Sequence, residues 1–322
     1  MLSILTGIQA TGTPHLGNIL GAILPAIELA NNPKYQSFFF IADLHSLTQI
    51  KDAGVLKQNS YEVAATWLAC GLEVEKTIFY RQSDIPMVCE LAWYLNCFFP
   101  YQRLQLAHSF KDKADRLEDI NAGLFTYPML MAADILLYNA NIVPVGKDQL
   151  QHIEFARDVA ARFNNKMGET FVIPQAKEQK ETNYIPGTNG TKMSKSKQNT
   201  INIFLEDKEL RKQVMSIQTD SIPIENPKNP DENIVYKLYE LIASNEKKQE
   251  MRENFLKGGY GYGHAKQALF EEILSNFAET RTKYKELISQ PKLIEGFLLE
   301  GKEKAQNIAT QTLYNVRTKI GF

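Results

Sequence analysis

Short apolar runs alternate with longer helical patterns through the first two-thirds of the chain, and this alternation restricts the fold more than any other feature. Ser3 to Ile8, Ser37 to Ala42 with its three successive phenylalanines, Thr77 to Arg81, Asn141 to Val145 and Phe171 to Ile173 read as strands. Between them, Asn18 to Leu29, Val55 to Cys70, Met87 to Phe98, Thr126 to Tyr138 and Asp148 to Phe163 read as helices. Pro25 predicts a kink, Gly71 a stop, and Pro86 and Pro128 helix openings. Strands joined through helices lie parallel, so the expected fold is α/β with a doubly wound parallel sheet. Such sheets bind ligands at the carboxyl ends of their strands, near the point where strand order reverses.

The strand pattern stops near Phe204. Glu206 to Ile217, Glu232 to Ser244, Ala265 to Ile288 and Gly301 to Thr318 suit helices, with a turn at Gly258-Gly259-Tyr260-Gly261-Tyr262-Gly263 between two of them. Two domains are expected, 1–204 and an all-helical 205–322; a chain of 322 residues accommodates both. A formal net charge of -1 leaves no global basic field, so a nucleic-acid partner must meet local basic patches. Cys70, Cys89 and Cys97 are odd in number and lack C-x-x-C spacing, which argues against a disulfide framework or a cysteine zinc site. No segment approaches the ~20 apolar residues of a membrane span, and Met1 to Gly7 has no leader pattern. The expectation is a soluble, cytoplasmic protein. Trp67 and Trp93 are expected in the core.

Four constellations could carry chemistry. Gly7-Ile8-Gln9-Ala10-Thr11-Gly12-Thr13-Pro14-His15-Leu16-Gly17-Asn18 follows a strand and opens a helix. That context aims backbone N–H groups and the positive helix end at an anion, and its glycines admit a nucleotide close to the backbone. It is equally readable as a tight turn that needs glycines. Lys192-Met193-Ser194-Lys195-Ser196 lies in a polar stretch rich in glycine and lysine, where a loop is expected. Two lysines three apart can both face a polyphosphate as point charges; a solvated charged loop is the alternative. This five-residue string arises by chance in only about one in 10⁴ chains of this length.

The third constellation is Met129 to Leu137, apolar on every side except for Asp134. An all-apolar helix is buried, and a buried carboxylate needs a donor. Tyr127, Met131 and Asp134 share a face, offering an aromatic ring, a thioether and an acceptor to an aromatic ligand with one N–H. A carboxylate satisfied within the core is the alternative. The fourth is Gly146-Lys147-Asp148-Gln149, at a strand end, where Asp148 with Gln151 also reads as a helix cap. Lys111, Lys113 and Arg116 form a basic run that fits a solvated helix face or a local nucleic-acid contact. His45, His108, His152 and His264 lack metal-ligand spacing, so no metal site is expected.

Together the first two segments resemble the HIGH-like and KMSKS motifs of class I aminoacyl-tRNA synthetases. Gly7-Ile8-Gln9, with Gly17-Asn18, is similar to the tryptophanyl branch of bacterial type. So are the blocks Gly123 to Tyr138 and Val143 to His152. The resemblance is dense over residues 1 to 205 and continues weakly through Gly259-Tyr260-Gly261. It implies a Rossmann-like catalytic domain, a helical anticodon-binding domain and a homodimer. It implies ATP contacts from Gln9, Ala10, Thr11, Gly17, Asn18, Gly146, Lys147, Asp148, Ile185, Lys192, Met193, Ser194, Lys195 and Ser196. Of these, Lys192, Lys195, Asn18 and Gln9, with His15, would carry catalysis. Mg²⁺ would arrive on the ATP phosphates, with no other cofactor.

On the amino-acid side the resemblance implies L-tryptophan, with Asp134 accepting from the indole nitrogen. Met131, Tyr127, Leu5, His45, Val143, Val145 and Gln149 would complete the pocket. Tyrosyl enzymes typically place a Gln where this chain has Met131. Two departures stand out: Lys147 occupies a commonly acidic position, and Tyr184-Ile185-Pro186-Gly187 replaces a longer Met-Ser-Leu pattern. The implied reaction is activation of tryptophan to its adenylate, with loss of pyrophosphate, and transfer to its tRNA. A tyrosyl synthetase, a small-molecule nucleotidyltransferase and a non-catalytic paralogue are the rivals.

Overall fold

A computed structural model describes residues 1–107, 120–178 and 184–322. His108 and the basic run Lys111, Lys113 and Arg116 lie outside the described residues. Five strands form one parallel sheet: β1 (Leu2–Gln9), β2 (Tyr35–Ala42), β3 (Thr77–Arg81), β4 (Ile142–Val145) and β5 (Gln175–Glu178). Their order is β3-β2-β1-β4-β5. The chain winds outward from β1 in one direction, returns, and winds outward in the other. This is the expected doubly wound sheet, and its switch point lies between β1 and β4. The loops that start at Ala10 and Gly146 leave the carboxyl ends of those two neighbours.

Several local expectations need correction. The fifth strand is Gln175–Glu178, not Phe171 to Ile173. Phe171 is buried against Phe163 in the approach to the strand, with ring centroids 4.9 Å apart. The strand itself is an exposed edge that pairs through its backbone, so hydrophobicity marked the wrong residues. The helix Ala122–Leu137 starts a turn earlier than its Pro128 suggested. Asn121 caps it, accepting from Leu124 N–H at 3.1 Å, and Pro128 sits inside. The kink expected at Pro25 takes the form of a π turn, Ile19–Ile23, between Leu16–Asn18 and Leu24–Ala30. Proline lacks the N–H that the ordinary ladder requires, and the preceding turn widens.

The box expected between Asp148 and Gln151 does not form. A short 3-10 turn, Lys147–Gln149, precedes the helix Leu150–Met167, and Gln151 donates instead to the Leu106 carbonyl at 3.1 Å. Trp67 is fully buried, but Trp93 is 68% exposed. It lies on the helix Met87–Phe98 away from the buried Val88, Leu91, Ala92 and Leu95.

Beyond residue 205 the described helices are Asp207–Met215, Ile234–Tyr239, Asn245–Lys257, Tyr262–Asn276, Ala278–Ser289 and Pro291–Ile320. The stretch Ala265 to Ile288 is thus two helices. Asn245–Lys257 forms without an apolar stripe, burying Met251 and Phe255 under a Ser244 cap. The sheet separates two cores. One joins Ile4, Phe39 and Phe79 to Phe255, Leu269 and Ile294. The other joins Leu5, Phe38, Tyr80 and Leu136 to Ala305, Ala309, Leu313 and Val316, so the last helix returns to the sheet. No helix among the described residues is long and apolar enough to cross a membrane.

Candidate active site

At the end of β1, Gln9 leads into a loop held from two sides. Ser46 accepts from Ala10 N–H at 2.9 Å, and Asn59 donates to the Ala10 carbonyl at 3.1 Å. Gly12 takes φ +103°, which favours glycine. His15, in extended backbone, caps the helix reciprocally: its Nδ1 accepts from Asn18 N–H and Asn18 Oδ1 accepts from His15 N–H, both at 3.2 Å. Because Nδ1 accepts, the ring proton of the neutral imidazole sits on Nε2. Burial and the neighbouring Lys195 lower the His15 pKa to about 4. His15 is therefore a neutral donor at physiological pH.

The lysine loop comes to this turn from 176 residues away. Met193, buried, accepts from Gly17 N–H at its Sδ (3.3 Å) and donates its own N–H to the Ile185 carbonyl at 2.9 Å. A Cβ on Gly17 would lie 3.2 Å from that of Met193, so the close approach favours glycine. Lys195 Nζ donates to the Thr11 carbonyl at 3.0 Å. Partial burial there lowers its pKa to about 8, with Glu62 opposing. Lys192 pairs with Asp148 across 3.5 Å, linking the loop to the turn after β4. Ser194 and Ser196 meet at 3.2 Å. Asn199, 1% exposed, ties the loop: it accepts from Ser194 N–H at 2.8 Å and donates to Asn189 and the Lys192 carbonyl. The expected phosphate-binding residues thus meet at one place.

On the helix Ala122–Leu137, Asp134 is buried. Its Oδ2 accepts from Gln82 Nε2 at 2.7 Å, and Gln82 Oε1 accepts from His45 N–H at 3.2 Å. Burial pushes the Asp134 carboxyl well above the usual carboxylate range; Gln82 opposes this and Asp43 adds to it. Tyr127 contacts His45 edge-on, with centroids 4.6 Å apart. A directed chain reaches its hydroxyl. Gln149 Nε2 donates to Asp148 Oδ2 at 2.8 Å, which leaves Oε1 to accept from His152 Nδ1, also at 2.8 Å. His152 Nε2 is then the acceptor for the Tyr127 hydroxyl at 2.8 Å. Leu5, Val143 and Val145 are buried in the core against which half-buried Met131 packs. A separate cavity of about 440 Å³ is bordered by Leu44, Thr48, Cys89, Trp93 and Asn121; of the expected pocket residues only Tyr127 lines it.

Gln82, His152 and Asn199 are the contributors that motif reading missed. Gln82 had one legible signal, a polar residue directly after an apolar strand, at the sheet's ligand-binding end. No group of three His, Cys, Asp or Glu side chains suited to a metal occurs among the described residues.

Residues 1–278 match the family described as tRNA synthetases class I (W and Y). The chain belongs to this family, and the paired motifs and parallel sheet define its class. Its relatives include the tryptophan--tRNA ligase of Campylobacter jejuni, 44% identical over 321 residues and covering 100% of both chains. That of Fusobacterium nucleatum is 44% identical over 319 residues, covering 99% of this chain and 97% of its own. Among solved structures, tryptophanyl-tRNA synthetase from Campylobacter jejuni complexed with ADP and tryptophan superposes with a TM-score of 0.94 at 44% identity, covering 100% of each chain. The Mycoplasma pneumoniae tryptophanyl-tRNA synthetase gives 0.83 at 31% identity, covering 100% of this chain and 98% of that one.

Proposed function

We propose a division of labour among the residues of a chain whose full-length kinship makes it a tryptophan--tRNA ligase. The enzyme activates L-tryptophan with ATP to tryptophanyl-adenylate and transfers tryptophan to its tRNA. The observation that carries the assignment is the contact of Lys195 with Thr11 and of Met193 with Gly17, which brings both ATP motifs to one strand end.

The tryptophan carboxylate attacks the α-phosphorus in line, so no protein nucleophile is needed. Positioning and charge stabilisation carry the rate. Lys192 and Lys195 neutralise the departing pyrophosphate. His15 offers its Nε2–H, and Gln9 and Asn18 line the triphosphate. Gly17, Met193 and Ile185 border the adenine, and Gly146, Lys147 and Asp148 the ribose. The Lys192–Asp148 pair is solvent-exposed and weak, so exchanging it for ATP contacts costs little. Mg²⁺ carried on the ATP phosphates would supply further neutralisation beside Lys192 and Lys195. Asp134 accepts from the indole N–H. Tyr127, its hydroxyl proton committed to His152, turns its oxygen lone pairs to the substrate ammonium. Residues 1–204 hold both substrates, and helices within 205–322 read the anticodon. The enzyme acts as a cytoplasmic homodimer.

ATP–pyrophosphate exchange with each amino acid in turn tests the reading. Exchange with tryptophan alone is expected. Exchange with tyrosine but not tryptophan would overturn the role of Asp134.

A further inference from the structure

We propose that Gln82 is a positioning residue that sets amino-acid specificity: its amide holds one oxygen of Asp134 and presents the other as a fixed acceptor to the indole N–H. This rests on the reading that Asp134 meets the indole nitrogen.

Gln82 is 1% exposed, at the carboxyl end of β3. Its amide orientation is chemically determined. Oε1 receives the His45 N–H at 3.2 Å, so Nε2 faces Asp134 at 2.7 Å. The flipped amide would set a carbonyl against a carboxylate and an NH₂ group against an N–H. The next residue is anchored as well: Asp43 accepts from Ser83 N–H at 2.9 Å and from the Ser83 hydroxyl. Gln82 therefore has little freedom to follow a displaced Asp134. No hydrogen bond from a described residue reaches Asp134 Oδ1.

The charge environment makes this donor matter. Asp43 faces Asp134 from the helix after β2, Cys89 from the helix Met87–Phe98, Tyr80 from β3 and Tyr138 from the end of its own helix. None of these is a cation. Burial already favours the neutral carboxyl, and Gln82 is the neighbour that opposes it. Without Gln82, Asp134 loses the donor that opposes the effect of burial and holds one oxygen in place, and it becomes a weaker, reorientable acceptor. Its selectivity for an N–H falls with it.

Three variants test this in the full-length enzyme. Gln82→Met keeps the volume and removes the amide. The tryptophan KM should rise about tenfold or more, with kcat at saturation changed less than about twofold. Discrimination against the benzothiophene analogue of tryptophan, in which sulfur replaces N–H, should fall by a similar factor. Gln82→Glu places two carboxyls together. While they share one proton, that proton replaces Nε2–H, and tryptophan binds as in the parent. As pH rises and the shared proton is lost, the tryptophan KM of Gln82→Glu should climb relative to the parent's. Unchanged discrimination in Gln82→Met, or a KM of Gln82→Glu that tracks the parent at every pH, would overturn the proposal. Asp134→Asn separates the two readings. If it also leaves discrimination intact, Asp134 is not the indole partner; if it abolishes discrimination while Gln82→Met does not, the role of Gln82 alone is wrong.

Discussion

Lys195 sits where burial and charge compete. Its pKa of about 8 lies close enough to working pH for the ammonium to lose its proton under mild alkaline conditions. The sign follows from the group. A lysine whose folded pKa is lowered is charged below that value and neutral above it. At limiting ATP, exchange should fall as pH rises through about 8. Bound polyphosphate favours the charged form, so saturating ATP should move the fall to higher pH. Lys195→Arg keeps its charge throughout and should abolish this limb of the profile. A wild-type profile flat through this range would remove the ammonium from the mechanism. His15, with a pKa of about 4, should contribute only well below neutral pH. Lys195→Ala should lower exchange by about 10²–10³, the scale for loss of one charge-stabilising donor, while equilibrium binding of tryptophan is unchanged. At this scale the motif residues were legible because each string carries its chemistry locally: glycines and a cap in one, paired lysines in the other. His152 and Asn199 were not legible, and Gln82 was only by its place after β3, since each acts on partners from other elements or across a folded loop. A hydrogen bond from Gln82 to Asp134 spans 52 residues and leaves no local pattern.

Elements were legible where periodicity and buried surface coincide, as in β2, and failed where they part, as at the exposed edge strand β5. The helix Pro291–Ile320 illustrates what spacing cannot convey. Gly301 crosses β3 so closely that a Cβ would lie 1.7 Å from the Phe79 carbonyl oxygen. Gly296, one and a half turns earlier, has nothing within 4 Å of such an atom. The sequence offers two glycines in one helix, and only the structure distinguishes the packing glycine from the merely permissive one. Gly301→Ala should force the helix off the strand and cost about 1–3 kcal/mol or more, as overpacking does. Gly296→Ala should stabilise by about 0.5–1 kcal/mol through helix propensity. Denaturant unfolding of the two variants reads both signs; equal effects would mean that Gly301 does not lie against β3. The loop clip makes a second case. Asn199→Ala frees Ser194 N–H and the loop carbonyls, so the ATP KM should rise while that for tryptophan holds, measured by exchange.

The whole molecule depends on that same last helix. The described sheet ends with β5 at Glu178, and periodicity says nothing about where a later helix docks. Ala305, Ala309, Leu313 and Val316, at most 6% exposed, pack into the core beneath β3 and the helix Met87–Phe98. Gly301, with Ala305 and Ala309 beyond it, lets the helix approach the strand. Glu295 pairs with Arg81 at 3.0 Å, and Arg317 with Glu90 at 2.6 Å, so both ends are also tied by charge. A chain ending at residue 289 would expose this apolar face, at about 25 cal/mol per Å². A domain's net stability is only about 5–15 kcal/mol, so the loss is large on that scale. Such a truncation should unfold non-cooperatively and bind a hydrophobic dye, and exchange activity should vanish although every motif residue remains. Adding a synthetic peptide of residues 290–322 should restore a cooperative transition and part of the exchange activity. If the truncated chain instead melted as sharply as the full protein, the last helix would be an appendage to the catalytic sheet and not one of its layers.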